Sequence, residues 1–123
     1  MVFKYLKGDV MKKINVIKKS EDFQKIIKNN KSLRTKYFYI YIYKHEESIY
    51  HFGLSVGKKI GNAVRRNKVK RQLREIISEN DYQKNFDCII IVRREINGAN
   101  FSEIKEDLNT IFKKQNIIKE SNY

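Results

Sequence analysis

Between positions 58 and 74 lie eight basic side chains and no acid: Lys58, Lys59, Arg65, Arg66, Lys68, Lys70, Arg71 and Arg74. Four of the seven arginines of the chain fall between 65 and 74. Guanidinium groups grip phosphate oxygens bidentately, and ammonium groups meet them as point charges. The chemistry such a stretch supports is recognition of a polyanion, not bond making or breaking. Its weight depends on distribution, because 20 Lys, 18 Ile and 12 Asn beside 2 Ala and no Pro is also what an A+T-rich genome encodes. Codon bias spreads evenly, and this charge does not. Residues 1–74 carry 20 Lys+Arg and 5 Asp+Glu, a net +15, while residues 75–123 carry 7 and 9, a net −2.

The groups that could catalyse are sparse. The two histidines, His45 and His51, have no serine or cysteine partner near them in sequence and read as surface or edge-strand residues. Most carboxylates fall where the first turns of helices are expected, and no sequence cluster suggests a pair of metal ions for phosphodiester cleavage. No protein metal site and no catalytic residue is therefore expected. The one cysteine, Cys88, sits in an apolar run with no basic neighbour to stabilise a thiolate, so it reads as an inert core thiol. A lone cysteine also excludes an internal disulfide framework and fits a reducing compartment. Lys58-Lys59-Ile60-Gly61-Asn62 lacks the glycine spacing and the terminal Lys-Ser/Thr of a nucleotide-binding loop. No apolar run approaches the ~20 residues of a membrane span, and the first ten residues lack the apolar core of a secretory signal. A cytoplasmic protein without membrane contact is expected.

The elements that must position the basic cluster can be read from periodicity. At 123 residues, one domain is the natural expectation, with 1–11 as an extension, 12–118 as the domain and 119–123 as a tail. Met11 could serve as an alternative start of translation. Ser20 opens a short helix whose Phe23, Ile26 and Ile27 share a face, fading at Asn29-Asn30. The run from Lys36 to Tyr43 is aromatic and β-branched and predicts a strand, with Tyr37, Tyr39, Tyr41 and Tyr43 on one face and Phe38, Ile40 and Ile42 on the other. After a polar turn, Ile49 to Val56 predicts the partner strand of a hairpin. A basic loop from Gly57 to Asn62 leads into a helix over 63–78. Val69, Leu73, Ile76 and Ile77 make its apolar stripe, and Asn67, Lys70, Arg71 and Arg74 point away from it. The apolar run 86–92 predicts a buried strand. A last helix, capped by Ser102, turns Ile104, Leu108, Ile111 and Phe112 inward. The order is α-β-β-α-β-α, an α+β sandwich with helices against a small sheet.

A basic helix face beside exposed tyrosines suits RNA, since phosphates take the cations and unpaired bases stack on aromatic rings. The stretch Gly53-Leu54-Ser55-Val56-Gly57-Lys58-Lys59-Ile60-Gly61-Asn62-Ala63-Val64-Arg65-Arg66-Asn67-Lys68-Val69-Lys70-Arg71 closely resembles the signature of the protein subunit of bacterial ribonuclease P. Ser20 to Lys25 and Asp87 to Arg93 extend the resemblance, which covers about residues 12–115. It implies a ribosomal protein S5 domain 2-like fold, with a mixed sheet and a left-handed β-α-β crossover through residues 49–92. It also implies a basic face for the ribonuclease P RNA: Lys58, Lys59, Arg65, Arg66, Asn67, Lys68, Lys70, Arg71 and Arg74. The single-stranded 5′ leader of precursor tRNA would lie in a cleft at Phe23, Tyr41 and Ile27. Lys68 stands where the family often has arginine, and Ile27 where it often has an aromatic. The resemblance further implies that the RNA subunit performs the chemistry with Mg²⁺, which it holds itself. The protein would improve substrate and Mg²⁺ affinity, without an obligate protein partner. A ribosomal or general RNA-binding protein of similar fold is the alternative, and a self-sufficient nuclease a third reading.

Overall fold

The computed structural model describes residue 17 and residues 20–119. The expected extension at 1–11, the alternative start at Met11 and the last four residues of the tail lie outside them. Among these residues, seven helices and strands run in the order α1 (Ser20–Asn29), β1 (Leu33–Arg34), β2 (Phe38–Lys44), β3 (Tyr50–Ser55), α2 (Ala63–Ser78), β4 (Phe86–Val92) and α3 (Phe101–Lys114). The α+β architecture with three helices and a small mixed sheet matches the sequence reading, with the two-residue β1 as an addition. Short 3-10 turns at Lys58–Ile60 and Arg94–Gly98 flank α2 and β4.

The strand order is β1-β2-β4-β3. β2 runs antiparallel to β4, and β3 runs parallel to β4, joined to it through α2. The hairpin expected between the second and third strands therefore does not form, because β4 inserts between them. The reason lies in β4 itself. Cys88, Ile89, Ile90 and Val92 are buried on its two faces, and an unbroken apolar run of this kind suits the interior of a sheet. The connection at 45–49 straddles the start of β4: the His45 amide donates to Asn85 O at 2.9 Å and the Asn85 amide donates to Ile49 O at 3.1 Å. Asn85 adopts φ 76°, a left-handed conformation that asparagine tolerates better than most residues.

The sheet has two unequal faces. Phe38, Ile40, Phe52, Leu54, Phe86, Cys88, Ile90 and Val92 point into the main core, where Val69, Leu73, Ile76 and Ile77 of α2 and Ile104, Leu108 and Phe112 of α3 cover them. On the other face, α1 brings Phe23 and Ile26 against Ile17 and Ile89, with Ile27, Tyr41 and Ile91 half-buried around them. Two local readings change. Tyr37 does not join the tyrosine face; it precedes β2 in a bend and is buried in the main core. Asp107 of α3 sets that bend, accepting from Thr35 Oγ1 at 2.7 Å and from the Tyr37 amide at 3.3 Å. The cap of α3 is Asn100, not Ser102. Its side chain accepts from the Glu103 amide while Glu103 accepts from the Asn100 amide, a reciprocal capping box. Asn100 and Glu103 together satisfy two otherwise orphaned donors, and Ser102 already lies inside the helix.

Candidate nucleic-acid interface

The basic cluster is built on α2 and the loop before it. Asn62 ends the loop with extended backbone, and its Oδ1 accepts from the Arg65 amide at 3.0 Å, starting the helix at Ala63. Gly61, at φ 152°, makes the preceding turn, and an added Cβ there would stand 3.0 Å from Cβ of Arg65. The nine residues read as an RNA-facing set divide into groups. At ~100° per residue, Asn67, Lys70, Arg71 and Arg74 form one ridge along the helix, away from the buried Val69–Leu73–Ile76 stripe. Asn67 and Arg71 are exposed, while Lys70 and Arg74 are half-buried. The Arg74 Nε is buried without a hydrogen-bond partner among the described residues.

Arg65 and Arg66 stand apart from this ridge, on the N-terminal continuation of the inward stripe, and the fold tethers both. Arg65 Nε donates to Asn97 Oδ1 at 2.9 Å, and Arg66 Nε donates to Gly61 O at 3.2 Å. Asn97 in turn donates to Ile60 O at 2.9 Å, so it clamps the basic loop to the turn after β4. Each tether uses the Nε and restrains the guanidinium, which lowers the ordering cost of any contact its terminal nitrogens make. Lys68 is exposed on the opposite flank of α2, and Lys58 and Lys59 are exposed in the loop.

The tyrosine face meets this surface at one end. Lys59, Arg93, Arg94 and Glu95 line an open depression with Tyr39. Arg93 is buried there. Its Nη1 donates to Thr35 O at 2.6 Å and to Lys36 O at 2.8 Å, and its Nη2 donates to Glu95 Oε2 at 3.1 Å. The guanidinium lies 5.3 Å from the centre of the Tyr39 ring, a cation–π distance. Arg93 and Arg94 are absent from the set read from sequence, and Tyr39 is in it only as one member of the tyrosine face. The signal for Tyr39 was its alternation with Tyr41, but only the sheet order shows which loops border it.

The three residues read as a leader cleft do come together on the α1 face of the sheet, with different exposures. Phe23 is buried, and a Cβ built at Gly53 would stand 3.0 Å from Phe23 Cε2, so the absence of a side chain there admits the ring. Ile27 and Tyr41 form the half-buried rim. Cys88 lies on the other face, fully buried, and burial first, then the Asp87 charge, pushes its thiol far above the ordinary range. It is no nucleophile.

Fold and site together define a small α+β protein with a basic helix ridge and a basic loop, of which the loop borders an aromatic sheet face at Tyr39. The ribonuclease P family model matches residues 11–116. The ribonuclease P protein component of Bacillus velezensis is 44% identical over 115 residues, covering 90% of this chain and 97% of the relative. That of Listeria innocua is 42% identical over 113 residues, covering 89% and 95%. A structure of a Staphylococcus aureus RNase P protein mutant with defective mRNA degradation activity superposes with a TM-score of 0.75 at 34% identity, covering 82% of this chain and 87% of that one. The Thermotoga maritima RNase P protein does so with a TM-score of 0.69 at 34% identity, covering 76% and 90%. The chain belongs to the bacterial ribonuclease P protein family. Membership makes it a subunit of a tRNA-processing ribonuclease and the partner of a ribonuclease P RNA. No helix among the described residues is long and apolar enough to cross a membrane.

Proposed function

We propose that this protein binds the ribonuclease P RNA through the α2 ridge and the basic loop, and holds the single-stranded 5′ leader of precursor tRNA across the tyrosine face. The observation that carries this reading is that the basic loop reaches the tyrosine face at Tyr39, where Lys59 and Arg94 border an aromatic ring. A nucleic acid strand laid along β2 would have its phosphates near those cations and its bases over Tyr39 and Tyr41. Asn67, Lys70, Arg71 and Arg74 supply phosphate contacts on the helix, with Lys58, Arg65, Arg66 and Lys68 around its start. The phosphodiester chemistry belongs to the RNA subunit and the Mg²⁺ it holds. The protein screens phosphate repulsion, and so raises the affinity of the assembly for substrate and Mg²⁺. This work takes place in the cytoplasm and needs no second protein.

Reconstitution tests the reading. Added to a bacterial ribonuclease P RNA and precursor tRNA at low Mg²⁺, the protein should stimulate 5′ cleavage; no stimulation would overturn it. Tyr41 is the residue to change, because Phe23 is a core residue whose truncation costs about 3 kcal/mol of stability. Tyr41→Leu should weaken binding of substrate with a leader by about 1–3 kcal/mol, the worth of one stacked base. Binding of mature tRNA should not change. Equal loss for both ligands would remove Tyr41 from the leader path.

A further inference from the structure

Both histidines of the chain converge on one carboxylate. His51 of β3 stands beside Asp87 of β4 in the parallel register, and its Nδ1 lies 2.6 Å from Asp87 Oδ1. His45 follows β2 directly, and its Nε2 lies 3.1 Å from the same oxygen. One donor atom from each of the three residues falls within 4.8 Å of the other two. They come from three separate stretches of chain, brought together only because β4 lies between β2 and β3. The side chains of His45, His51 and Asp87 are 11%, 26% and 17% exposed, so the cluster is recessed yet reachable.

Asp87 pairs with no lysine or arginine among the described residues, and it is the side-chain hydrogen-bond partner of both imidazoles. The His45 Nδ1, the ring nitrogen that does not face Asp87, is buried without a partner among the described residues. Two imidazoles and a carboxylate are a borderline donor set, which Zn²⁺ and its first-row neighbours take in tetrahedral or five-coordinate geometry. Mg²⁺ demands six oxygens in near-octahedral array and is poorly served by it. Three protein donors at a recessed surface leave a fourth position for water or an incoming ligand.

We propose that His45, His51 and Asp87 form a binding site for a divalent transition-metal ion of the Zn²⁺ class. The ion ties the 45–49 connection to β3 and β4. Tyr43 pairs in register with Asp87, so the site lies at the end of the tyrosine face away from Lys59 and Arg93. It does not depend on the RNA-binding reading.

Calorimetric titration of the full chain with ZnCl₂ near neutral pH tests this, followed by visible spectroscopy with CoCl₂. One equivalent of Zn²⁺ should bind, and Co²⁺ should give the intense absorption of a four- or five-coordinate site. His51→Gln and Asp87→Asn are near-isosteric changes on strands, and each should weaken Zn²⁺ binding by about tenfold or more and remove the Co²⁺ bands. Circular dichroism checks that the variants are folded. If Asp87→Asn does not fold, His51→Gln on the edge strand decides alone. The absence of Zn²⁺ binding, or binding unchanged in His51→Gln, would overturn the proposal. So would equal competition by Mg²⁺ for the same site.

Discussion

Arg71 is the side chain in which sequence and structure agree most simply. It is exposed on the α2 ridge, and no described group pairs with its charge. Arg71→Ala should leave thermal stability within about 0.5 kcal/mol of the parent. It should lower RNA affinity evenly across sequences and reduce the slope of log affinity against log salt by about one. Filter binding at several salt concentrations measures this, and an unchanged slope would remove Arg71 from the phosphate contacts. Arg74 is a poorer probe, because its Nε is buried and truncation mixes lost packing with lost charge. Phe23 teaches the same lesson from the other direction. Its type and spacing named it correctly as part of the α1 face, but the glycine that receives its ring lies thirty residues away at Gly53.

At the scale of elements, the basic surface depends on two asparagines. Asn62 starts α2, and Asn97 clamps the loop before it. Asn62→Ala removes an N-cap and should cost about 1 kcal/mol, measured as a shift in the urea midpoint at constant slope. RNA affinity should fall as well, because the first turn carries Arg65 and Arg66. A loss of stability without loss of affinity would separate the helix start from the interface. The bounds of α2 and β4 were legible because each carries its own signal, a cap plus a 3.6-residue stripe in one case and an unbroken apolar run in the other. The pairing of strands was not. A polar five-residue turn between two strands suggests a hairpin, and only competition for the centre of the sheet reverses that.

For the whole molecule, charge and burial act in different pH ranges. The net +13 favours polyanions at neutral pH. At high pH the core decides. Burial raises the Cys88 thiol above its ordinary 9.0. Burial also raises the Tyr82 phenol well above 10.0, and its hydroxyl donates to Ile77 O at 2.6 Å. Both groups stay protonated in the fold at a pH where the unfolded chain has released those protons. The unfolded state then binds fewer protons, so stability falls as pH rises above about 9, and falls more steeply above about 10. Melting temperature against pH should show this decline. Cys88→Ala should delay its onset and leave the part due to Tyr82. An onset unchanged in that variant would assign the decline to other groups.

The sequence by itself determined the helices, the long strands, the inward stripes and the basic ridge, because each follows from local periodicity and from charges close together in the chain. Tertiary structure alone decided three things. It placed β4 between β2 and β3, where its unbroken apolar run lies in the sheet interior. It brought Lys59 and Arg94 to the rim of Tyr39. And it gathered His45, His51 and Asp87, up to 42 residues apart, around one oxygen. Contacts across a sheet depend on which strands win its centre, a competition among distant segments that no local pattern records.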